Sequence, residues 1–454
     1  MNRGDWIRVG ALYCPLVLAL LAGLTRQRQP RQFAACLLSF LWVTPALLVV
    51  QQLNLLAGWW HFSGGSISIR GMPLELYFGW IVLWGIIPQL VFRPLHLIAC
   101  IVVFVVADLA LMPSCQPLIQ LGRQWLTGES VAVLLVLIPA LCIGRWTFDD
   151  SHLRMRATLQ VVVAGLLFLY SIPEIAFAFR SGRGWTPLLA LSNWQRQLAL
   201  QGLALLAIPA VSAVTEFAER GMGTPIPYDP PKRLVTSGIY RYCSNPMQMS
   251  CALVMCGWAI LLGNGWILSA AAVSGIYSAG IAEWDERQDL FLRFGSRWKT
   301  YRMNVKNWRV RWRPYSSGDQ ACLYIAASCG PCTELRTWIE LRRPSGLRII
   351  SAEALPAGSI RRLRYHPADG TPAVEGTKAL GRALEHLHLG WALAGMTVRL
   401  PIVWQCIQLV MDASGFGPQT LPNGPCALSV AFRNDHRDVT LERLKLGESD
   451  EFRS

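Results

Sequence analysis

Two places in this chain bring together side chains that could do chemistry. One is Cys329-Gly330-Pro331-Cys332. Thiols three residues apart can close and open a disulfide, and a helix starting at the first would favour its thiolate through unpaired backbone N–H groups. Cys329 is then the expected nucleophile and Cys332 the resolving thiol. Zinc is the rival use of such a pair; it takes about four ligands, and the histidines, His386 and His388 among them, offer no second pair at finger spacing. Those two, read as lying on one helix, look like surface residues. The other place is the loop 223–242, followed by Asn245-Pro246. Its prolines and glycines hold it out of a helix, while Tyr240, Tyr242, Lys232, Arg233 and Arg241 suit a binding surface at a membrane edge. Further on, Glu283-Trp284-Asp285-Glu286 opens a charged stretch that could return carboxylates to that loop. A solvated helix exit with an interfacial aromatic belt is the plain alternative.

These residues need elements to position them, and composition says which kind. Of 454 residues 53% are hydrophobic and only 15% charged, against about 25% in soluble domains. A simple cytosolic globule and a disordered chain are both excluded. Bilayer-length apolar runs, about nine in number, fall near residues 6–24, 34–57, 75–92, 95–112, 130–146, 158–178, 198–216, 247–263 and 265–282. The first lacks a small-residue cleavage site and reads as a retained helix. Gly263-Asn264-Gly265 makes the last two an antiparallel hairpin.

The net charge of +14 points to cytoplasmic loops facing anionic lipid and not to nucleic acid. With the C-terminus inside, Arg26, Arg28, Arg31, Arg93, Arg145, Arg154, Arg156, Arg220, Lys232, Arg233 and Arg241 fall on the cytoplasmic side. Arg70, Arg123, Arg180, Arg183 and Arg196 fall outside, together with Arg3 and Arg8, which oppose this orientation. The 13 cysteines have no regular spacing along the spans and read there as small core hydrophobes. Asp108, Glu174 and Glu75 are ionisable groups in or beside spans, read mainly as interhelical hydrogen-bonding groups. Trp59-Trp60-His61-Phe62 reads as an aromatic belt.

Past about residue 283 charges return, and the last third reads as soluble, with a linker near Ser316-Ser317-Gly318-Asp319 and a loosely ordered tail after about residue 418. Residues 321–328 read as a buried strand running into the Cys-x-x-Cys and an amphipathic helix through Leu341. A second strand follows near 347–350, then a hairpin turn at Asp369-Gly370, where Pro372 reads as a hairpin proline, and a helix from about Lys378 to Leu389.

The segment from about 198 to 314 resembles the isoprenylcysteine carboxyl methyltransferase and phospholipid methyltransferase type of membrane enzyme. The resemblance rests on Leu234-Val235, Gly238, Tyr240-Arg241-Tyr242, Asn245-Pro246, then Glu286, Leu290, Phe294-Gly295, Trp298 and Tyr301. It departs from that pattern at Ser244 for Arg, Gln248 for Tyr, Ser250 for Gly and Arg287 for the second Glu. The resemblance implies S-adenosylmethionine as methyl donor. Glu286 would meet its ammonium or ribose hydroxyls, Arg241 its carboxylate and Asn245 a hydrogen-bonding group, with Tyr240, Tyr242 and Pro246 lining the site. The acceptor would be a membrane lipid or a prenylated or amphiphilic molecule.

The strand, Cys-x-x-Cys and helix are similar to the thioredoxin arrangement, and the whole last third resembles DCC-type thiol-disulfide oxidoreductases through Gly376-Thr377-Lys378-Ala379-Leu380 and Trp391 to Pro401. The Asp expected before the first Cys is missing, since Ala327 and Ser328 stand there. Such a unit implies a thiol or disulfide protein partner.

The expectation is therefore a polytopic α-helical membrane protein with a C-terminal α/β thioredoxin-like domain on the cytoplasmic face. Its parts would be an N-terminal bundle at 1–190, a methyltransferase-like membrane domain at 191–316, a thioredoxin-like domain at 317–418 and a tail at 419–454. Three readings follow: a methyltransferase fused to a redox unit, a membrane-anchored oxidoreductase on an inactive scaffold, and a nonenzymatic lipid-binding platform.

Overall fold

Each predicted apolar run coincides with a helix among the described residues. In chain order these are α1 (Arg3–Thr25), α2 (Pro30–Ala57), α3 (Leu74–Leu90), α4 (Leu97–Cys115), α5 (Trp125–Phe148), α6 (Leu153–Phe177), α7 (Asn193–Gly221), α8 (Pro246–Leu262) and α9 (Gly265–Tyr277). The computed structural model describes residues 3–25, 29–63, 67–116, 118–179, 184–225, 230–277, 283–355 and 361–418, with backbone alone at 3, 25, 178, 179, 277, 283–288, 415 and 416. The tail 419–454 lies outside the described residues. Among the described residues six helices are long and apolar enough to cross a membrane, while α3, α8 and α9 are shorter apolar helices. With 17 residues in α8 and 13 in α9, these two fall short of the roughly 20 that a bilayer core asks for. The nine expected spans therefore resolve into six of full length and three shorter helices at the remaining places.

Helix α2 forms the axis of the first bundle, with residues such as Val43, Leu48 and Val50 fully buried in its core. Its polar groups are satisfied across helices: Ser39 Oγ donates to Ala140 O (2.8 Å) and Trp42 Nε1 to Leu135 O (3.0 Å). Inside lipid such bonds hold helices together where apolar burial gives little net attraction. Glu174 of α6 binds Arg70 and accepts from Trp185 Nε1 at 2.6 Å. Asp108 of α4 hydrogen-bonds Glu129 of α5 and Trp80. Glu75 sits in the first turn of α3, where the helix dipole favours a carboxylate. The aromatic belt at 59–62 is a misreading: Trp59 and Trp60 are buried, and Trp60–Phe62 pairs antiparallel with Ile119–Leu121 to join two loops.

Loop charges sort to two ends. At one, Asp150 gathers Arg31 (3.2 Å), Arg156 (2.9 Å) and Lys232 (2.9 Å), and Asp149 takes Arg93 at 2.9 Å. At the other lie Arg70 with Glu174 and Arg8, which donates to Ser63 O. Loops assigned from sequence to one side of the membrane thus meet at one end of the bundle.

After α9 the chain enters α10 (Glu283–Asn304), kinked at Gly295 where φ is 55°. An α/β unit follows. It holds β1 (Ala321–Ile325), α11 (Gly330–Leu341), β2 (Leu347–Ser351), β3 (Arg364–His366), β4 (Val374–Glu375), α12 (Thr377–Leu384), α13 (Leu389–Val398) and α14 (Val403–Met411). The sheet order is β2-β1-β3-β4, with β1 parallel to β2 and β3 antiparallel to both β1 and β4. The β3–β4 turn is the expected hairpin: Gly370 takes φ 73° and Asp369 accepts from Thr371 N.

This unit does not hang on a free linker. Ala392 and Met396 of α13 share a buried apolar cluster with Ile208 and Ala213 of α7 and with Ile239, Tyr240 and Tyr242. A buried ionic cluster lies beside it. Glu216 of α7, with no exposed side-chain surface, binds Arg382 of α12, Arg399 (3.1 Å) and Arg220 (3.2 Å). Arg382 also reaches Glu219 and Glu385, and Arg220 reaches Asp369 at 2.8 Å. The expected helix 378–389 stops at Leu384, and His386 is buried in the turn after it, not on the surface. Its ring lies between Arg241 and Tyr365, 2.9 Å from the latter's hydroxyl.

Removing one partner of a buried ion pair costs about 3–5 kcal/mol, because the other charge stays buried. Arg382→Ala should therefore lower the thermal midpoint of the full chain in detergent and speed proteolysis between residues 305 and 320. Arg336→Ala, which loses only an exposed pair with Glu340, should change stability by less than about 0.5 kcal/mol.

Candidate functional site

The proline loop is anchored where α7 ends. Gly238 has φ 58°, and a Cβ there would come within 2.8 Å of the Glu216 carboxylate; glycine is needed both for the backbone turn and for the approach. Ser237 Oγ donates to Glu216 at 2.7 Å. The chain then makes one short helical turn, Gly238–Arg241, and reaches Asn245, which caps α8 with Pro246 at its first position. Residues 226–229 of the loop lie outside the described residues.

The side chains named from the sequence between Tyr240 and Asn245 each have a definite place. Tyr240 stacks on Phe217 with ring centroids 5.1 Å apart. Tyr242 is fully buried and donates to Glu385 O at 3.0 Å; burial pushes its phenol up from its ordinary pKa. Arg241 donates to Ser345 O (3.3 Å) and lies 3.0 Å from His386 Nδ1. Burial lowers the Arg241 pKa, and burial together with Arg241 holds His386 well below the usual imidazole range. Asn245 Nδ2 donates to Gln248 Oε1 at 2.9 Å.

Helix α10 meets this loop through residues that follow its acidic start. Arg293 donates to Pro231 O, and Leu290 and Phe294 pack with Leu234 against Trp298, Tyr301 and Val305. Tyr301 donates to Tyr240 O at 2.8 Å. Glu286 and Arg287 lie in the first turns of the same helix, but their side chains lie outside the described ones. A strap then returns across the loop: Lys306 O accepts from Ser244 N, Arg311 N donates to Tyr242 O and Tyr315 N to Arg241 O, at 2.9–3.1 Å. Arg302 was missed from the sequence. Its guanidinium donates to Ser244 Oγ at 3.0 Å, which brings an arginine to the position where the resembled pattern carries one in the loop. Its signal was the helical spacing Trp298, Tyr301, Arg302.

In this conformation the residues do not fit S-adenosylmethionine as the resemblance distributes it. The Arg241 guanidinium gives Nη1 to Ser345 O and His386 Nδ1 of the α/β unit, and the Tyr242 hydroxyl is bonded to Glu385 O of the same unit. No reaction step is derived through that group.

Cys329 and Cys332 come together on the α/β unit. Cys329 is the N-cap of α11, and Thr333 N donates to its carbonyl at 3.0 Å. Both thiols are half-buried, so exposure does not distinguish them. Burial, a hydrogen bond to Cys329 and the nearby Cys329 and Glu353 charges push the Cys332 thiol up to about 12. Glu353 is a second residue the sequence did not flag. Its carboxylate accepts from Ala327 N (2.9 Å), Ser328 N (3.0 Å) and Ser328 Oγ (2.9 Å), fixing the turn before Cys329. Against the cost of burial, a hydrogen bond from the Ser351 hydroxyl and those from the Ala327 and Ser328 N–H groups hold its own pKa down at about 2. Beside the thiols is a cavity of about 240 Å³ with a mainly apolar wall, including Ile325, Leu335, Leu363, Leu380 and Met411. Among the described residues no group of three or more His, Cys, Asp or Glu is placed to hold a metal ion.

Among known families, residues 198–288 match the model described as phospholipid methyltransferase, PEMT. No curated protein and no solved structure matches the chain. The matched stretch runs from α7 through the proline loop, α8 and α9 into α10, and so contains Tyr240 to Pro246 and Glu286. This segment is similar to the phospholipid methyltransferases, and it is set among several apolar helices of span length, as in a multi-pass membrane protein.

Proposed function

We propose that the chain is a membrane methyltransferase that uses S-adenosylmethionine and methylates a lipid or a prenylated or amphiphilic acceptor. The family match over 198–288 carries this reading. Convergence of the proline loop with α10 through Arg293 and Pro231 supports it. An acceptor reaching this junction would come from the bilayer, which favours a molecule with an apolar tail. Donor binding at Arg241 would share that guanidinium with the α/β unit, whose Ser345 and His386 hold Nη1, so this reading places the docked unit against the site. The proposed parts are 1–190, 191–316, 317–418 and 419–454, with the α/β unit on the cytoplasmic side.

A second reading concerns the α/β unit, as a thioredoxin-like, DCC-type redox centre with Cys329 as nucleophile and Cys332 as resolving thiol. The strand order with a Cys-x-x-Cys between β1 and α11 supports it, as does the adjoining cavity. Its partner would be a protein thiol or disulfide. If the membrane part serves only as anchor, this centre would be the working one.

Calorimetry on the full chain in lipid nanodiscs tests the first reading: S-adenosylmethionine should release heat with wild type and none with Glu286→Ala. No heat at millimolar ligand, or equal heat from both, would sink it. The second is tested by a brief iodoacetamide pulse on reduced protein at neutral pH. A thiol pushed up to about 12 stays protonated there, so mass spectrometry should find Cys329 alkylated at least tenfold faster than Cys332. Equal labelling would remove the assignment of nucleophile and resolving thiol.

A further inference from the structure

The stretch from α13 to α14 carries a surface that neither proposed activity uses. Between residues 389 and 411 the only charged side chain is Arg399, and it is held by Glu216 and Glu385. Together α13 and α14 are apolar enough to count as membrane span, yet they bend by 86° at their junction. Ile402 sits at that bend with φ 72°, a conformation that β-branched residues strongly avoid. It is 71% exposed, as are Leu409 at 70% and Val410 at 64%; Cys406 is exposed as well. The spacing 402, 406, 409, 410 places these on one side of α14. The opposite side is fixed: Gln408 Oε1 accepts from Thr377 N and Oγ1, both at 2.9 Å, and Lys378 lies over the Trp404 ring at 4.0 Å. The outward apolar face is thus built and not loose.

What covers it follows from where α13 is docked. Helix α7 has 29 residues, about 43 Å at 1.5 Å per residue, against a hydrocarbon core of about 30 Å. Ile208, which shares the buried cluster with Ala392 and Met396 of α13, lies about 20 Å from the Gly221 end. Even if all the surplus length of α7 projected at that end, Ile208 would remain about 7 Å inside the hydrocarbon. The outer side of α7 itself bears exposed Leu198 and Leu205, so the apolar elbow continues a lipid-facing surface.

We propose that α13 and α14 form an elbow seated in the leaflet at the Gly221 end of α7, with acyl chains against Ile402, Cys406, Leu409 and Val410. The unit expected to be wholly soluble is by this reading a membrane-inserted one. It holds whether or not the chain transfers methyl groups.

The experiment places an environment-sensitive fluorophore at single cysteines in the full chain, otherwise cysteine-free, in phosphatidylcholine–phosphatidylglycerol vesicles. Leu409→Cys and Val410→Cys probe the elbow. Leu341→Cys, at a residue 76% exposed at the end of α11, is the aqueous reference. Nitroxide carried on lipid acyl chains should quench the elbow probes at least threefold more than the reference, and iodide should do the reverse. Iodide quenching at 409 and 410 equal to that at 341 overturns the proposal. Shielding of the elbow probes from both quenchers also overturns it, and would assign the face to a second copy of the chain. Folding of each variant is checked by its melting midpoint, and an Ile402→Cys probe replaces any variant that does not fold.

Discussion

The buried carboxylate of Glu216 is the constraint around which the rest is arranged. A charge without solvent must be met by charges of opposite sign and by hydrogen bonds, and Glu216 takes them from Arg220, Arg382, Arg399 and Ser237. Two of those partners belong to the α/β unit, so satisfying one residue of α7 fixes that unit on the membrane part. Gly238 must lack a side chain for the same reason, since the carboxylate occupies the space a Cβ would need. The loop that carries Tyr240, Arg241 and Tyr242 is therefore shaped by an ion cluster as much as by its own prolines.

The proline loop and the Cys329–Cys332 pair end up tied together by this arrangement. Arg241 links the loop to His386, His386 links to Tyr365 of β3, and β3 pairs with β1, which delivers the chain to Cys329. The connection is a continuous run of hydrogen bonds and packed strands. A change in how the α/β unit sits would be felt first at Arg241, because its guanidinium has partners only from that unit among its hydrogen bonds.

Much of the fold was legible because it rests on local signals. Apolar runs gave the helix positions, Asn245-Pro246 gave the start of α8, and Asp369-Gly370 gave the hairpin. The strand before Cys329 and the amphipathic helix after it were likewise visible as patterns. What was hidden depends on pairings far apart in sequence. Arg241 and His386 are 145 residues apart and Glu216 and Arg382 are 166 apart; nothing in either neighbourhood announces the other. For the same reason His386 read as a surface residue, since its burial is created by Arg241 and Tyr365. Trp59 and Trp60 misled because aromatic clusters at helix ends suit a membrane interface equally well as a packed loop.

The 166 residues between Glu216 and Arg382 also set a timetable for biosynthesis. At about 5–20 residues per second, synthesis passes from Glu216 to Arg382 in about 8–33 s. During that interval α7 has been made but lacks the two arginines that come from later in the chain. Its carboxylate must stay near the aqueous rim, bound by Arg220 and Ser237 or carrying a proton, until the α/β unit is complete. Final seating of α7 thus waits on the synthesis of Arg382 and Arg399, and a chain cut short before α12 would leave Glu216 with Arg220 and Ser237 as its partners, an undercompensated acid of the kind membrane quality-control proteases act upon.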